Sequence, residues 1–157
     1  MRGAICMNAR ILAFALCFLV LGLGARAASA GTVLIKADEA ALPPAPAASG
    51  IALATRGITR RPNVILVSPA ASVTSPFNLE LKFEAHGGST IKPNSFQVLY
   101  LKNPNVDLTA RIIPFTSPNG VDMVGAEAPP GKHTIKVKVV DSDGREGSAV
   151  FVVNVIK

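Results

Sequence analysis

The chain has 157 residues, with 13 Gly, 12 Pro, 7 Phe, 1 Tyr and no Trp. That length fits one ordinary domain with a tail, and charged residues at 17% are too sparse for a charge-rich disordered protein. Two Cys and two His exclude a cysteine-rich disulfide or metal scaffold.

The N-terminus reads as an export leader. Arg2 and Arg10 make a basic start without acidic residues, and Ile11–Leu23 is an unbroken apolar run of 13 residues. Small residues follow, ending at Ala28-Ser29-Ala30. This is the order of a secretory signal peptide, with cleavage expected after Ala30. The run is shorter than the roughly 20 residues that cross a bilayer, so no stable membrane span is expected after cleavage. Cys6 and Cys17 both lie in the leader, which leaves the mature chain without a thiol. Disulfide, thiolate-metal and cysteine-nucleophile chemistry are thereby excluded. The leader also holds Arg2, Arg10 and Arg26, so 13 basic and 10 acidic groups remain, a net of +3 rather than the overall +6. Without a dense basic stripe, nucleic acid is not an expected partner.

Residues 31–61 read as an arm or linker. Leu42-Pro43-Pro44-Ala45-Pro46-Ala47-Ala48 favours extended, polyproline-like backbone that does not enter a sheet interior. Ile51, Leu53 and Ile58 follow, with Arg56, Arg60 and Arg61 nearby.

From Pro62 onward, short alternating runs are separated by turn residues. Strands are expected over Asn63–Val67, Phe77–Glu84, Ser95–Lys102, Leu108–Ile113, Val121–Ala126, Lys132–Val140 and Ser148–Ile156. The alternation is cleanest in the second, with Phe77, Leu79, Leu81 and Phe83 on one face and Asn78, Glu80, Lys82 and Glu84 on the other. Ile135, Val137 and Val139 share a face, as do Ala149, Phe151, Val153 and Val155. Asp141-Ser142-Asp143-Gly144 is a tight turn in which Gly takes a positive φ. Seven strands in the 96 residues from Pro62 to Lys157 suit an all-β, immunoglobulin-like Greek-key β-sandwich, its two sheets packed about 10 Å apart.

The stretch Pro130-Gly131-Lys132-His133-Thr134-Ile135-Lys136-Val137-Lys138-Val139-Val140-Asp141-Ser142-Asp143-Gly144 resembles the end of bacterial Ig-like, PKD-type and cadherin-like modules. Those modules often read Pro-Gly-x-Tyr-x-Val-x-Val-x-Val before an Asp-rich turn, and His133 stands at the corner-Tyr position. The resemblance implies the sandwich fold and leaves function open. Ser68-Pro69-Ala70 and the C-terminal Pro-Gly, strand, Asp-Gly turn and last strand are also similar to periplasmic copper carriers of the copper-resistance C type. The copper ligands of that family are not matched: the mature chain starts Gly31-Thr32, and the turn reads Asp143-Gly144-Arg145.

Sites of chemistry are few. His86-Gly87-Gly88 lacks the Gly-x-Ser-x-Gly elbow that an esterase oxyanion loop would need, and reads as a turn. His133 is expected to bond backbone at a strand corner. Asp141, Asp143 and Glu146 carry the oxygens Ca²⁺ prefers, but the calcium-loop spacing stops at Gly144, so a solvated turn is expected. No catalytic residues, cofactor or metal site are assigned, because no nucleophile, base and orienter can be assembled.

The outward side of the last strands is the functional candidate. Leu99, Leu101, Lys136, Lys138, Val150 and Val152 would form an apolar face with a lysine pair, beside Val140 and Ile156. The expected function is therefore a non-enzymatic exported binding or structural module, periplasmic or extracellular, whose partner is a protein or a cell-envelope glycan. The alternative is a small-ligand or metal carrier of the same sandwich fold.

Overall fold

The computed structural model describes residues 31–46 and 60–157. The expected leader, 1–30, and residues 47–59 of the expected arm lie outside the described residues. In chain order the elements are β1 (Thr32–Val33), α1 (Ala37–Ala41), β2 (Asn63–Ser68), β3 (Val73–Thr74), β4 (Phe77–Glu84), β5 (Gln97–Tyr100) and β6 (Val106–Asp107). Then come α2 (Thr109–Ile112), a 3₁₀ turn (Ile113–Phe115), β7 (Thr116–Ser117), β8 (Gly120–Glu127), β9 (Gly131–Val140) and β10 (Glu146–Ile156).

They form an immunoglobulin-like β-sandwich. One sheet runs β1-β8-β4-β2, with β7 also on β8, and the other runs β3-β10-β9-β5-β6. The first edge strand changes sheets: β2 pairs antiparallel with β4, and β3, a few residues on, pairs parallel with β10. Period-2 alternation sends Phe77, Leu79, Leu81 and Phe83 inward from β4, facing Ile135, Val137 and Val139 from β9, and all seven are buried. The alternation in β8 breaks where three of its residue steps oppose two of β4's, between the Phe77–Ala126 and Leu79–Met123 pairs. Gly125, at φ +72°, takes up the extra residue and keeps both Met123 and Ala126 inward.

One expected strand is absent among the described residues. Leu108–Ile113 is not a strand: Leu108 precedes a one-turn helix whose Ile112 is fully buried, and Pro114 sits in the 3₁₀ turn that follows. Leu108 and Ile112 are four residues apart, so one helical turn buries both on one side, whereas a strand would also align Ala110 with them. Pro suits the first turn of a helix, whose N–H has no intrahelical partner. Residues 31–46, within the expected arm or linker, pack on the sandwich and add to its core. Leu34 is 0% exposed and Ile35 2%, held by N–H bonds to the Glu127 carbonyl at 2.9 and 3.2 Å. Pro44 bridges to Lys102, and the Lys102 ammonium donates to the carbonyls of Ala40 and Leu42, both at 2.8 Å.

Candidate functional site

The outward face of β10, β9 and β5 is set by register. Val150 lies opposite Lys136, and Lys136 opposite Leu99, so these three form one row across the strands. In the next row Val152 lies opposite Thr134, whose carbonyl accepts the Leu101 N–H at 2.9 Å. Lys138 stands between Ser148 and Gln97 on the other side of the first row. All six expected residues are therefore on one face. Val150 is 45% exposed and Val152 58%, with Ile156 also exposed, whereas Leu99, Leu101, Lys136 and Lys138 are half-buried. Lys138 is paired with Glu146 at 2.9 Å, while none of the ion pairs among the described residues involves Lys136.

His133 points the other way, into the core. Its Nδ1 accepts the Tyr100 hydroxyl at 2.9 Å, and its Nε2–H donates to the Pro129 carbonyl at 2.7 Å. Burial holds its pKa below the ordinary histidine value, the Pro129 bond opposing and the Lys102 charge reinforcing the shift. Burial, with the Glu39 charge, pushes the Tyr100 phenol up. Both ring nitrogens are thus committed, and His133 does the corner work of the expected backbone-bonded histidine. His86 is exposed in the loop after β4.

The Asp141 turn differs from the expected solvated one. Asp141 is fully buried. Its Oδ1 accepts the N–H of Arg145 at 2.8 Å and of Asp143 at 3.0 Å, and its Oδ2 accepts the Ser89 hydroxyl at 3.3 Å. Burial raises the pKa of this carboxyl, but the Arg145 N–H and guanidinium, the Asp143 N–H and Ser89 together hold it below the usual range. Its oxygens are spent on pinning the turn, where Gly144 takes φ +79°, rather than on a cation. Among the described residues no group of three or more His, Cys, Asp or Glu is placed to hold a metal.

A third cluster escaped the sequence. The Arg111 guanidinium grips the Glu39 carboxylate with two bonds, 2.7 and 2.5 Å, and donates to the Leu34 carbonyl at 2.8 Å. The Arg111 bond lowers the Glu39 pKa despite partial burial. Their 72-residue separation hides the pair from any local pattern. An open concavity of about 660 Å³ also lies against β4, β8 and β7, with Glu80, Lys82, Phe115, Asn119 and Asp122 in its lining. Its Thr116 and Ser117 hydroxyls are bonded to the carbonyls of Ile112 and Gly120.

No family model matches the chain, and no curated protein matches its sequence. Among solved structures it is similar to CopC from Methylosinus trichosporium OB3b, at 18% identity and a TM-score of 0.41, over 60% of this chain and 93% of that one. It is also similar to the fibronectin(III)-like modules of Clostridium thermocellum CbhA, at 20% identity and a TM-score of 0.35. That match covers 59% of this chain and 45% of the CbhA chain, so this chain spans less than half of it.

Proposed function

We propose that this chain is an exported, non-enzymatic binding module that contacts a protein partner through the outer face of β10, β9 and β5. One observation carries the reading: Val150 and Val152 stand exposed in register with Lys136, Leu99, Thr134 and Leu101, a contiguous aliphatic surface around a lysine. The face holds aliphatic side chains and no aromatic ring, and sugars are gripped chiefly by stacking on aromatic rings, which favours a protein over a glycan. A complementary surface would bring aliphatic residues to the valines and a carboxylate to Lys136. The copper-carrier alternative lacks support from the donors, since His133 is bonded at both nitrogens.

A photo-crosslinking residue placed at position 152 in the exported chain tests the reading, with position 124 on the opposite sheet as control. Val124 is 65% exposed, so reach to solvent does not explain a difference. A discrete protein adduct from position 152, absent from 124 and lost in Lys136→Glu, is the expected result. Equal adducts from both positions, or none dependent on Lys136, would overturn it.

A further inference from the structure

We propose that removal of the leader builds an ion pair: the new α-ammonium of Gly31 pairs with the Glu127 carboxylate and fastens β1 to the sandwich. This rests on the leader reading and is independent of the partner face. β1 lies parallel to the end of β8, with Thr32 opposite Ala126 and Val33 opposite Glu127. The Glu127 carbonyl takes the N–H groups of both Leu34 and Ile35, which fixes Glu127 alongside the strand. Its side chain folds back against Gly31, so that the carboxylate occupies the space a Cβ on Gly31 would fill. A Cβ at position 31 would push the Glu127 side chain out of that place. None of the ion pairs among the described residues involves Glu127.

The atom that charge would meet is one bond away. In the precursor the Gly31 nitrogen is an uncharged amide. Hydrolysis of the Ala30–Gly31 bond sends the hydroxyl of water to the Ala30 carbonyl carbon and its remaining proton to the Gly31 nitrogen; the new Ala30 carboxyl releases its proton to solvent and the amine takes one up, becoming an ammonium on the Cα beside the Glu127 carboxylate. Opposite charges at that distance favour both ionised forms. The segment they fasten delivers Leu34 and Ile35 to the core, so processing and completion of the core are linked. A chain still carrying its leader lacks the charge that closes this corner.

The test uses the exported chain. Its mass comes first: a start other than Gly31 overturns both the cleavage reading and the ion pair. With a Gly31 start, hydrogen exchange at the Leu34 and Ile35 amides is compared between the free-amine chain and the same chain acetylated at Gly31, each with Glu127 and with Glu127→Gln. The free amine is expected to slow exchange about two- to fivefold relative to the acetylated chain, the size of a partly exposed ion pair. That difference should vanish in E127Q and in 1 M salt. The Gly31 amine is also expected to titrate above the ordinary range of about 7.7–8.0. Equal exchange with and without acetylation, or a difference that survives E127Q, overturns the ion pair and leaves the cleavage reading standing. Should E127Q fold poorly, the salt dependence and amine titration of the unmodified chain decide alone.

Discussion

The Tyr100 hydroxyl donates to His133 Nδ1, which leaves the imidazole neutral with its proton on Nε2, bonded to the Pro129 carbonyl. Because burial lowers the folded-state pKa below the ordinary 6.5, the unfolded chain takes up a proton first as pH falls. Stability is therefore full above that value and declines as pH drops through it. The slope is at most about 1.4 kcal/mol per pH unit for one proton, and levels off once the folded ring also protonates. Urea midpoints measured from about pH 7.5 to about pH 5 should show this decline, and His133→Phe should remove that component. At neutral pH the same variant should cost about 1–3 kcal/mol, because the Tyr100 hydroxyl and Pro129 carbonyl lose their partner. Adding Tyr100→Phe should recover part of that loss.

Glu39 and Arg111 clasp the N-terminal segment to α2. Their side chains are 13% and 24% exposed, intermediate between a surface pair and a buried one. Arg111→Met should destabilise by about 1–3 kcal/mol, since it also frees the Leu34 carbonyl. The expected readout is local: faster hydrogen exchange at Leu34 and Ile35, with β9 and β10 unchanged. The Arg111 bond holds the Glu39 pKa below its ordinary 4.5. This contribution is thus present above pH 4.5 and is lost as pH falls through the lower folded value.

The core of the sandwich was legible because half-buried strands write their faces into the sequence. Phe77–Glu84 alternates without a break and is a strand over the same residues. The same parity read Leu99, Lys136 and Val150 only as outward-pointing; that they share a row across three strands comes from the pairing. Leu108–Ile113 was illegible because six residues with Leu and Ile at their ends and Thr109 and Arg111 between fit a strand or a helical turn, and here the tertiary site chose the turn. How the N-terminal segment packs leaves no local signal, for another reason. Thr32-Val33-Leu34-Ile35 carries β-branched residues, but the prolines at 43, 44 and 46 dominate its surroundings. What buries Leu34 and Ile35 is a parallel pairing with Glu127, nearly a hundred residues away, which leaves no local periodicity. Leu34→Ala should therefore cost about 2–5 kcal/mol, as for any filled core site, whereas a linker residue would cost almost nothing.

Asp141 is a structural carboxylate. Asp141→Ala would leave the N–H groups of Asp143 and Arg145 unpaired in the β9–β10 turn. The thermal midpoint should fall clearly, and Asp141→Asn, which retains one acceptor oxygen, should fall less. Since the folded-state pKa lies below the ordinary 3.8, the contribution persists above that pH and disappears as acid takes the carboxylate through its lower folded value. A chelator should leave the midpoint unchanged, and a calcium-dependent rise in stability would contradict the assignment of these oxygens to the turn.

Val152 and Val153 are neighbours on opposite faces of β10, 58% and 2% exposed. The binding surface and the core are therefore separated by a single step along the chain, and one charge placed on each side tests both. Val153→Asp puts a carboxylate between the sheets beside Leu79 and Ile135, which with it line a small interior void. Burial of an unpaired charge there should prevent folding or cost at least about 3 kcal/mol. Val152→Asp leaves its charge in water and should stay within about 0.5 kcal/mol of the parent, with an unchanged circular dichroism spectrum. Yet it should abolish crosslinking from neighbouring position 150, because a carboxylate would stand where the partner's aliphatic surface docks. If Val152→Asp is the more destabilising of the two, the register of β10 is off by one residue and the proposed face inverts with it.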